Sequence, residues 1–307
     1  AWGVRFALYA GSTLMSMERW DPRAAANLID AERGTFIYGP PTMARDLVDL
    51  ADEWRPAGPL KMICAGAPIP GPLVERAQRV LGANLDAIRA AGRLQEDDVF
   101  VSWLPLYHDM GFIACWLLPL LTATPLATLA PHAWVRRPES LLELITQEQS
   151  TRCWLPNFAF SLLTHRVKGD LKRFNLSSLR QQISCSEFVS YPVMRDFTER
   201  FLKCGLNVGA LSTSYAMAEN IFAVTHYPEG QPLQIITLDG EALARGVVER
   251  RYYGLPRTQT LISSGAPIRG VGVAILNDQL RPLPEGQVGT IAYKSETLFG
   301  GYLTPRG

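Results

Sequence analysis

Val101-Ser102-Trp103-Leu104-Pro105-Leu106-Tyr107-His108-Asp109-Met110-Gly111 begins as an apolar strand, breaks at Pro105 and then sets Tyr107, His108 and Asp109 side by side. An apolar strand ending in polar side chains beside an apolar wall is how α/β proteins build a site at the carboxyl ends of their strands. The wall comes at once, because no Asp, Glu, Lys or Arg occurs from Met110 to Val135. A membrane helix needs about 20 such residues. However, Pro119, Pro125 and Pro131 interrupt this run, and Thr122, Thr124 and His132 dilute it. The expectation is a buried helix over about 111–120 and a buried strand over about 125–130, with no transmembrane span.

Working towards the N-terminus, residues 1–82 alternate between helix and strand signals. Asp21-Pro22 opens a helix with Ala24, Leu28 and Ile29 on its apolar face. Residues 34–39 read as a strand, Pro40 to about Leu50 as a helix, residues 60–64 as a strand, and about 71–81 as another helix. Such alternation argues for a parallel sheet. Residues 134–203 repeat the plan. Pro138 echoes Pro22, Pro156 echoes Pro41 and Ile183 echoes Ile63, at offsets of 116 (138 − 22), 115 (156 − 41) and 120 (183 − 63). Offsets this steady point to two copies of one segment.

Past residue 230 the pattern changes to short strands at Leu233–Leu238, Gly246–Glu249, Gln259–Ser263, Gly272–Leu276 and Gly289–Lys294, some of them separated by turns such as Asn277-Asp278 and Pro284-Glu285-Gly286.

Composition sets the outer bounds. A chain of 307 residues, 47% hydrophobic and 19% charged, has ample core for about two domains. A net charge of +1 gives no bulk attraction for nucleic acid or an anionic membrane. Cys64, Cys115, Cys153, Cys185 and Cys204 are odd in number and in no metal spacing, as expected of a reducing cytoplasm. No signal peptide is evident, and the ends at Ala1 and Gly307 look like cuts.

The string Trp103-Leu-Pro-Leu-Tyr-His-Asp-Met-Gly111 resembles a signature of the adenylate-forming superfamily, in its fatty acyl-AMP ligase branch. The resemblance runs on from residue 83 to 307. Asn157-Phe158-Ala159-Phe160 is similar to that branch's Pro-Asn-Phe-Ala-Tyr. Ser212-Thr-Ser-Tyr-Ala-Met-Ala-Glu219 resembles the family's Tyr-Gly-Leu-Ala-Glu motif. Residues 1–82, with Ile63-Cys-Ala-Gly-Ala-Pro-Ile-Pro70, resemble the central part of an acyl-CoA or aryl-acid ligase, and a splice is inferred near residue 82. The implied fold is α/β, the helix–strand layers and parallel sheet of the adenylate-forming large domain followed by a β-rich subdomain. It would be a partial fold: 1–82 as a first adenylation-type segment, 83–230 as an α/β subdomain and 231–307 as the β-rich one.

What the resemblance implies chemically is ATP-dependent activation of a fatty acid to an acyl-adenylate, with Mg²⁺, for transfer to an acyl carrier protein thiol. An acyl-CoA ligase is the alternative, and a non-catalytic module binding lipid or a partner is the alternative of another class. His108 and Glu219 would be catalytic, with Glu219 as the Mg²⁺ ligand, since a hard cation takes carboxylate oxygen. Tyr215 would flank adenine, and Thr213 or Ser214 would hydrogen-bond the nucleotide. Ser186 and Glu187 would lie where the family's backbone passes adenine. Ala216 replaces the motif's glycine, which is costly if the position needs φ > 0. His108 would donate as a neutral imidazole to a phosphate, with Asp109 fixing its tautomer.

Trp103, Tyr107, Phe112, Trp116, Asn157 and Phe158 are the candidate substrate contacts. Phe112, Ile113 and Trp116, one helical turn apart, are expected to line an apolar tunnel beside His108 with Asn157, Phe158 and Phe160. His132, His165 and His226 read as structural. Ser263–Gly270 and Tyr9–Thr13 imitate phosphate loops but lack the lysine. The family's Pro-Lys-Gly loop has no counterpart in these residues, so the chain alone is not expected to catalyse adenylation.

Overall fold

Asp21 opens the first helix, α1 (Pro22–Ala31): its side chain accepts from the N–H of Ala24 at 2.7 Å, and Pro22 takes the first helical position, where no N–H is needed. The buried stripe is Ala25, Ala26 and Ile29. Ala24, expected on that face, belongs to the capped first turn and is exposed. The computed structural model describes Met15, Met17 and residues 19–34, 36–39, 43, 46–47, 49–50, 53–54, 61–64 and 71–301. They divide into two units, residues 1–77 and 78–307.

In the first unit, β1 (Phe36–Gly39) pairs in parallel with β2 (Lys61–Cys64), Phe36 opposite Lys61 and Gly39 opposite Cys64. Of the positions described between them, Met43, Asp46, Leu47 and Asp49 are helical. Two indoles tie the unit together, Trp20 Nε1 donating to Asp46 at 2.8 Å and Trp54 Nε1 to Asp30 at 2.7 Å. The expected turn at 65–70 and the loop at 9–13 lie outside the described residues.

The helix expected at about 71–81 runs on across the inferred splice as one continuous helix, α2 (Gly71–Ala91). From Gln78 to Ala91 there is no proline to stop it, and Gly82 costs only about 1 kcal/mol in a helix interior.

The second unit is built on a seven-stranded sheet. Its strands are β3 (Phe100–Ser102), β4 (Leu126–Thr128), β5 (Arg152–Leu155), β6 (Gln181–Ser184), β7 (Leu211–Ala216) and β8 (Ala223–His226), with two residues, Ala266–Pro267, completing one edge. The order is 266–267, β8, β7, β6, β5, β3, β4, and β7 through β4 run parallel. β8 and residues 266–267 are antiparallel. The strand expected at 125–130 is the edge strand β4 and is only half-buried, because among the described residues no strand pairs with its outer side.

Alternation along the strands gives each face its own core. Val101, Cys153 and Leu155 pack with Trp134, Phe160 and Phe197 on one face, and Phe100, Trp154 and Ile183 pack with Ile88, Ile113 and Phe222 on the other. Beyond the sheet lie two antiparallel pairs. Ile235–Asp239 pairs with Thr258–Ile262, and Val271–Leu276 pairs with Thr290–Ser295. Gly246–Glu249, expected as a strand, makes only isolated bridges: Val247 pairs with Gln287, while Glu249 and Arg251 bond the edge of Ile235–Asp239, so the segment follows no single neighbour far enough to form a ladder.

The order helix, strand, helix, strand, helix occurs twice. In the second unit it is Glu139–Glu148, β5, Asn157–Arg166, β6 and Tyr191–Phe201, with β5 and β6 parallel. First residues of the corresponding elements differ by 117 (139 − 22), 116 (152 − 36), 120 (181 − 61) and 120 (191 − 71).

A buried charge network closes the amino ends of these strands. The Arg152 guanidinium, 1% exposed, donates to Asp98 at 3.0 Å, Gln181 at 2.7 Å, Glu229 at 2.6 Å and the Gly92 carbonyl at 2.8 Å. Burial pushes the Asp98 carboxyl up. Hydrogen bonds from Arg152, Thr151 and the Gln95 N–H, with the Arg152 charge, outweigh it and hold the carboxyl below its ordinary range. His226 faces Gln181 Oε1 at 3.2 Å, and burial, then the Arg152 charge, push its pKa down to about 4.

Candidate functional site

Because β3, β5, β6 and β7 are parallel, the loops that leave their carboxyl ends share one end of the sheet. Those loops carry residues 103–109, 156–158, 185–188 and 217–221. Open α/β sheets bind ligands at this end.

The loop after β3 is tight. The N–H of His108 donates to the Pro105 carbonyl at 3.1 Å. A Cβ on Gly111 would stand 2.3 Å from that same oxygen, so only glycine fits. Asp109 caps the helical segment beginning at Met110, accepting from the Met110 N–H at 2.7 Å, and its carboxylate lies 2.7 Å from His108 Nδ1. The Met110 N–H also points at Nδ1, at 3.1 Å, so Nδ1 meets a backbone donor and a carboxylate oxygen at once.

The helix expected at about 111–120 is a π-helix over Met110–Leu117, passing into a short α-helix at Leu118–Leu121. π-turns of this kind recur at functional sites. Met110, Gly111, Ile113, Ala114 and Cys115 are buried, while Phe112 and Trp116 turn outwards, each 38% exposed, and stack on one another at 5.6 Å and 17°.

The expected single tunnel does not form. Ile113 packs on one face of the sheet and Phe160 on the other, where Phe160 meets Phe197 edge-on at 5.0 Å. Trp103 is buried and stacked on Trp134 at 3.9 Å, with Phe158 edge-on at 6.0 Å. Neither indole N–H has a hydrogen-bond partner. Tyr107 is 93% exposed. Asn157 accepts from the Ser190 N–H at 3.1 Å and so joins two loops.

After β6, Cys185 is buried, and burial pushes its thiol up to about 12, with the Asp109 charge adding to the shift. Ser186 takes φ 74, the left-handed region, and its hydroxyl lies 3.7 Å from Met110 Sδ. Glu187 accepts from the Phe158 N–H at 2.7 Å, at the start of the helix beginning at Asn157.

After β7 the chain enters a 3₁₀ turn, Ala218–Asn220, and returns as β8 rather than starting a long helix. The Thr213 hydroxyl donates to the Ser263 carbonyl and the Ser214 hydroxyl to the Thr225 carbonyl, both at 2.7 Å, so both protons are used within the scaffold. Tyr215 is half-buried, its hydroxyl 4.0 Å from Met217 Sδ. Ala216 lies in extended strand and not at positive φ, so the expected penalty for replacing glycine does not arise.

Sequence reasoning missed Tyr293. Burial, then the charges of Glu219 and Tyr215, push its hydroxyl up, so it lies within electrostatic range of both. Its signal in the sequence was an aromatic residue inside the strand expected at Gly289–Lys294. Among the described residues no group of three His, Cys, Asp or Glu could hold a metal unaided. A single carboxylate suits Mg²⁺ shared with nucleotide phosphates, and Glu219 is half-buried in a loop at the right end of the sheet.

The model of a family described as AMP-binding enzyme matches residues 1–92 and, a second time, residues 83–303. The chain belongs to the AMP-binding enzyme family. A putative acyl-CoA synthetase of Caulobacter vibrioides is 33% identical over 227 residues, covering 73% of this chain and 40% of that protein. The long-chain-fatty-acid–AMP ligase FadD26 of Mycobacterium marinum is 32% identical over 208 residues, 67% of this chain and 35% of its own length. Among solved structures, fatty acyl-adenylate ligases from E. coli and L. pneumophila superpose with a TM-score of 0.70 at 30% identity, over 73% of this chain and 41% of theirs. The chain thus spans about two fifths of the length of these AMP-binding relatives. Members of the family use ATP. Among the described residues no helix is long and apolar enough to cross a membrane.

Proposed function

We propose that this chain contributes the adenosine, metal and acyl contacts of a ligase that converts a fatty acid and ATP to an acyl-adenylate and pyrophosphate. The observation that carries this reading is the meeting of three loops at one end of the sheet. The His108–Asp109 pair, Ser186 and the Tyr215–Glu219 segment lie on loops at that end, with the Ser186 hydroxyl 3.7 Å from Met110 Sδ and Tyr293 within electrostatic range of Glu219 and Tyr215, which supports this reading.

Each group has a chemical task there. Tyr215 offers an aromatic face to adenine. Glu219 would hold a Mg²⁺ shared with the phosphates, and that ion would supply charge neutralisation for the pyrophosphate leaving group. His108, paired with Asp109, donates to an α-phosphate oxygen. The fatty-acid carboxylate oxygen attacks the α-phosphorus, and the bond to the bridging pyrophosphate oxygen breaks. The stacked Phe112–Trp116 pair supports the acyl tail.

The acceptor in this reading is the thiol of an acyl carrier protein. Coenzyme A is the second reading, favoured by relatives named acyl-CoA synthetase. Equilibrium dialysis of ATP with Mg²⁺ against residues 1–307 tests the nucleotide half. Tyr215→Ala and Glu219→Ala should each weaken binding by about tenfold, and unchanged affinity in both would refute the assignment.

A further inference from the structure

Glu219 precedes a turn that an L-residue chain does not adopt unaided. Two residues on, Ile221 has φ 67 and ψ −58, and the N–H of Phe222 donates to the Asn220 carbonyl at 2.7 Å. This is a γ-turn with a β-branched residue at its centre, a strained conformation that persists only where its surroundings over-determine it.

The surroundings here are three buried polar side chains from distant stretches, Asn84 on α2, Asn220 in the turn and Thr297 beyond the strand ending at Ser295, exposed by 1%, 0% and 5%. Asn84 Nδ2 donates to the Asn220 carbonyl at 3.1 Å and the Ala223 carbonyl at 3.2 Å, one on each side of Ile221. Asn220 Nδ2 donates to the Ala223 carbonyl at 2.7 Å. The Thr297 hydroxyl donates to Asn220 Oδ1 at 2.9 Å and is itself 2.8 Å from the Ser295 hydroxyl. The Phe299 N–H, in the same segment, donates to the carbonyl of Glu219 at 2.8 Å. Burying this many polar atoms is unfavourable compared with apolar packing unless their geometry is needed.

We propose that Asn84, Asn220 and Thr297 are positioning residues: they clasp the turn at Ile221 so that the Glu219 carboxylate is aimed in advance at the metal-bound phosphates. The proposal rests on the role given to Glu219 above. It also makes the segment Ser295–Phe299 part of the nucleotide site without any contact to nucleotide. Thr297→Val keeps the shape, removes the hydroxyl and leaves Asn220 Oδ1 buried without its donor. Thr297→Ser retains the hydroxyl.

Two measurements on the full chain test it. Thr297→Val should speed amide exchange at Asn220 and Phe222 by about tenfold while β5 and β6 exchange as before. The ratio of ATP affinity with Mg²⁺ to that without should fall about five- to tenfold, with metal-free affinity unchanged, and Thr297→Ser should restore both. Asn84→Ala should act in the same direction and stands in if Thr297→Val does not fold. Unchanged exchange, or ATP affinity falling equally with and without metal, overturns the proposal. A wild-type ratio of one contradicts the Glu219 assignment itself and the metal half of this inference with it. A ratio above one that neither variant lowers overturns the clasp alone.

Discussion

Gly111 and Gly82 show how differently one residue type can be constrained. A methyl group on Gly111 would meet the Pro105 carbonyl, whereas one on Gly82 would meet nothing within 4 Å. Gly111→Ala should therefore destabilise the chain by about 1–3 kcal/mol, as overpacking does. Gly82→Ala should stabilise it by about 0.5–1 kcal/mol through helix propensity. Urea unfolding of both variants checks the pair, and equal effects would contradict the geometry. Some residue roles were legible in the sequence. The grouping of Tyr107, His108 and Asp109 at a strand end was readable because Pro105 breaks an apolar run. The tolerance of Ala216 was not, because it stems from strand β7 running on through that position in extended backbone.

At the scale of elements, the strands were legible because they are short apolar runs between breakers. The π-helix was not, because a 3.6-residue and a wider periodicity cannot be told apart in the uncharged string Met-Gly-Phe-Ile-Ala-Cys-Trp-Leu. The wider turn puts Phe112 and Trp116 together on the outer side. Trp116→Ala should weaken binding of a long-chain acyl ligand more than that of a short-chain one, by roughly 1.5–3 kcal/mol when a full aromatic contact is lost. Calorimetric titration with two chain lengths decides this, and an equal loss for both would place the tail elsewhere.

The amino ends of the same strands carry a pH signature. His226 has a folded value of about 4 against 6.5 for an ordinary histidine. The unfolded chain thus takes up this proton first as pH falls. Stability from this group is full above about pH 6.5 and is lost between there and pH 4, on the order of 3 kcal/mol. Asp98, held below its ordinary range, adds stability above its unfolded value of 3.8 and loses it as pH falls further. Denaturation midpoints of His226→Gln should be flat between pH 6.5 and 4 where the wild type slopes. A variant that keeps the slope would assign it to other groups.

On the scale of the whole molecule, the repeat seen as steady offsets in the sequence reappears as the same element order and the same parallel strand pairing in both units. The family model likewise matches the chain twice, the two matches overlapping within α2. The separation of the two sheet faces was hidden in the sequence, because neighbouring apolar residues on a doubly covered strand look alike whichever way they point. That separation argues against the single tunnel and leaves the Phe112–Trp116 pair as the proposed acyl contact.

The central claim is that nucleotide and acyl contacts adjoin at the carboxyl end of the parallel strands. The most direct measurement is the dissociation constant of a non-hydrolysable long-chain acyl-adenosine sulfamate, compared with those of AMP and of the free fatty acid. Adjoining sites predict binding at least about a hundredfold tighter than either part alone, weakened by both Tyr215→Ala and Trp116→Ala. An affinity no tighter than that of AMP, or one that neither substitution changes, would contradict the account.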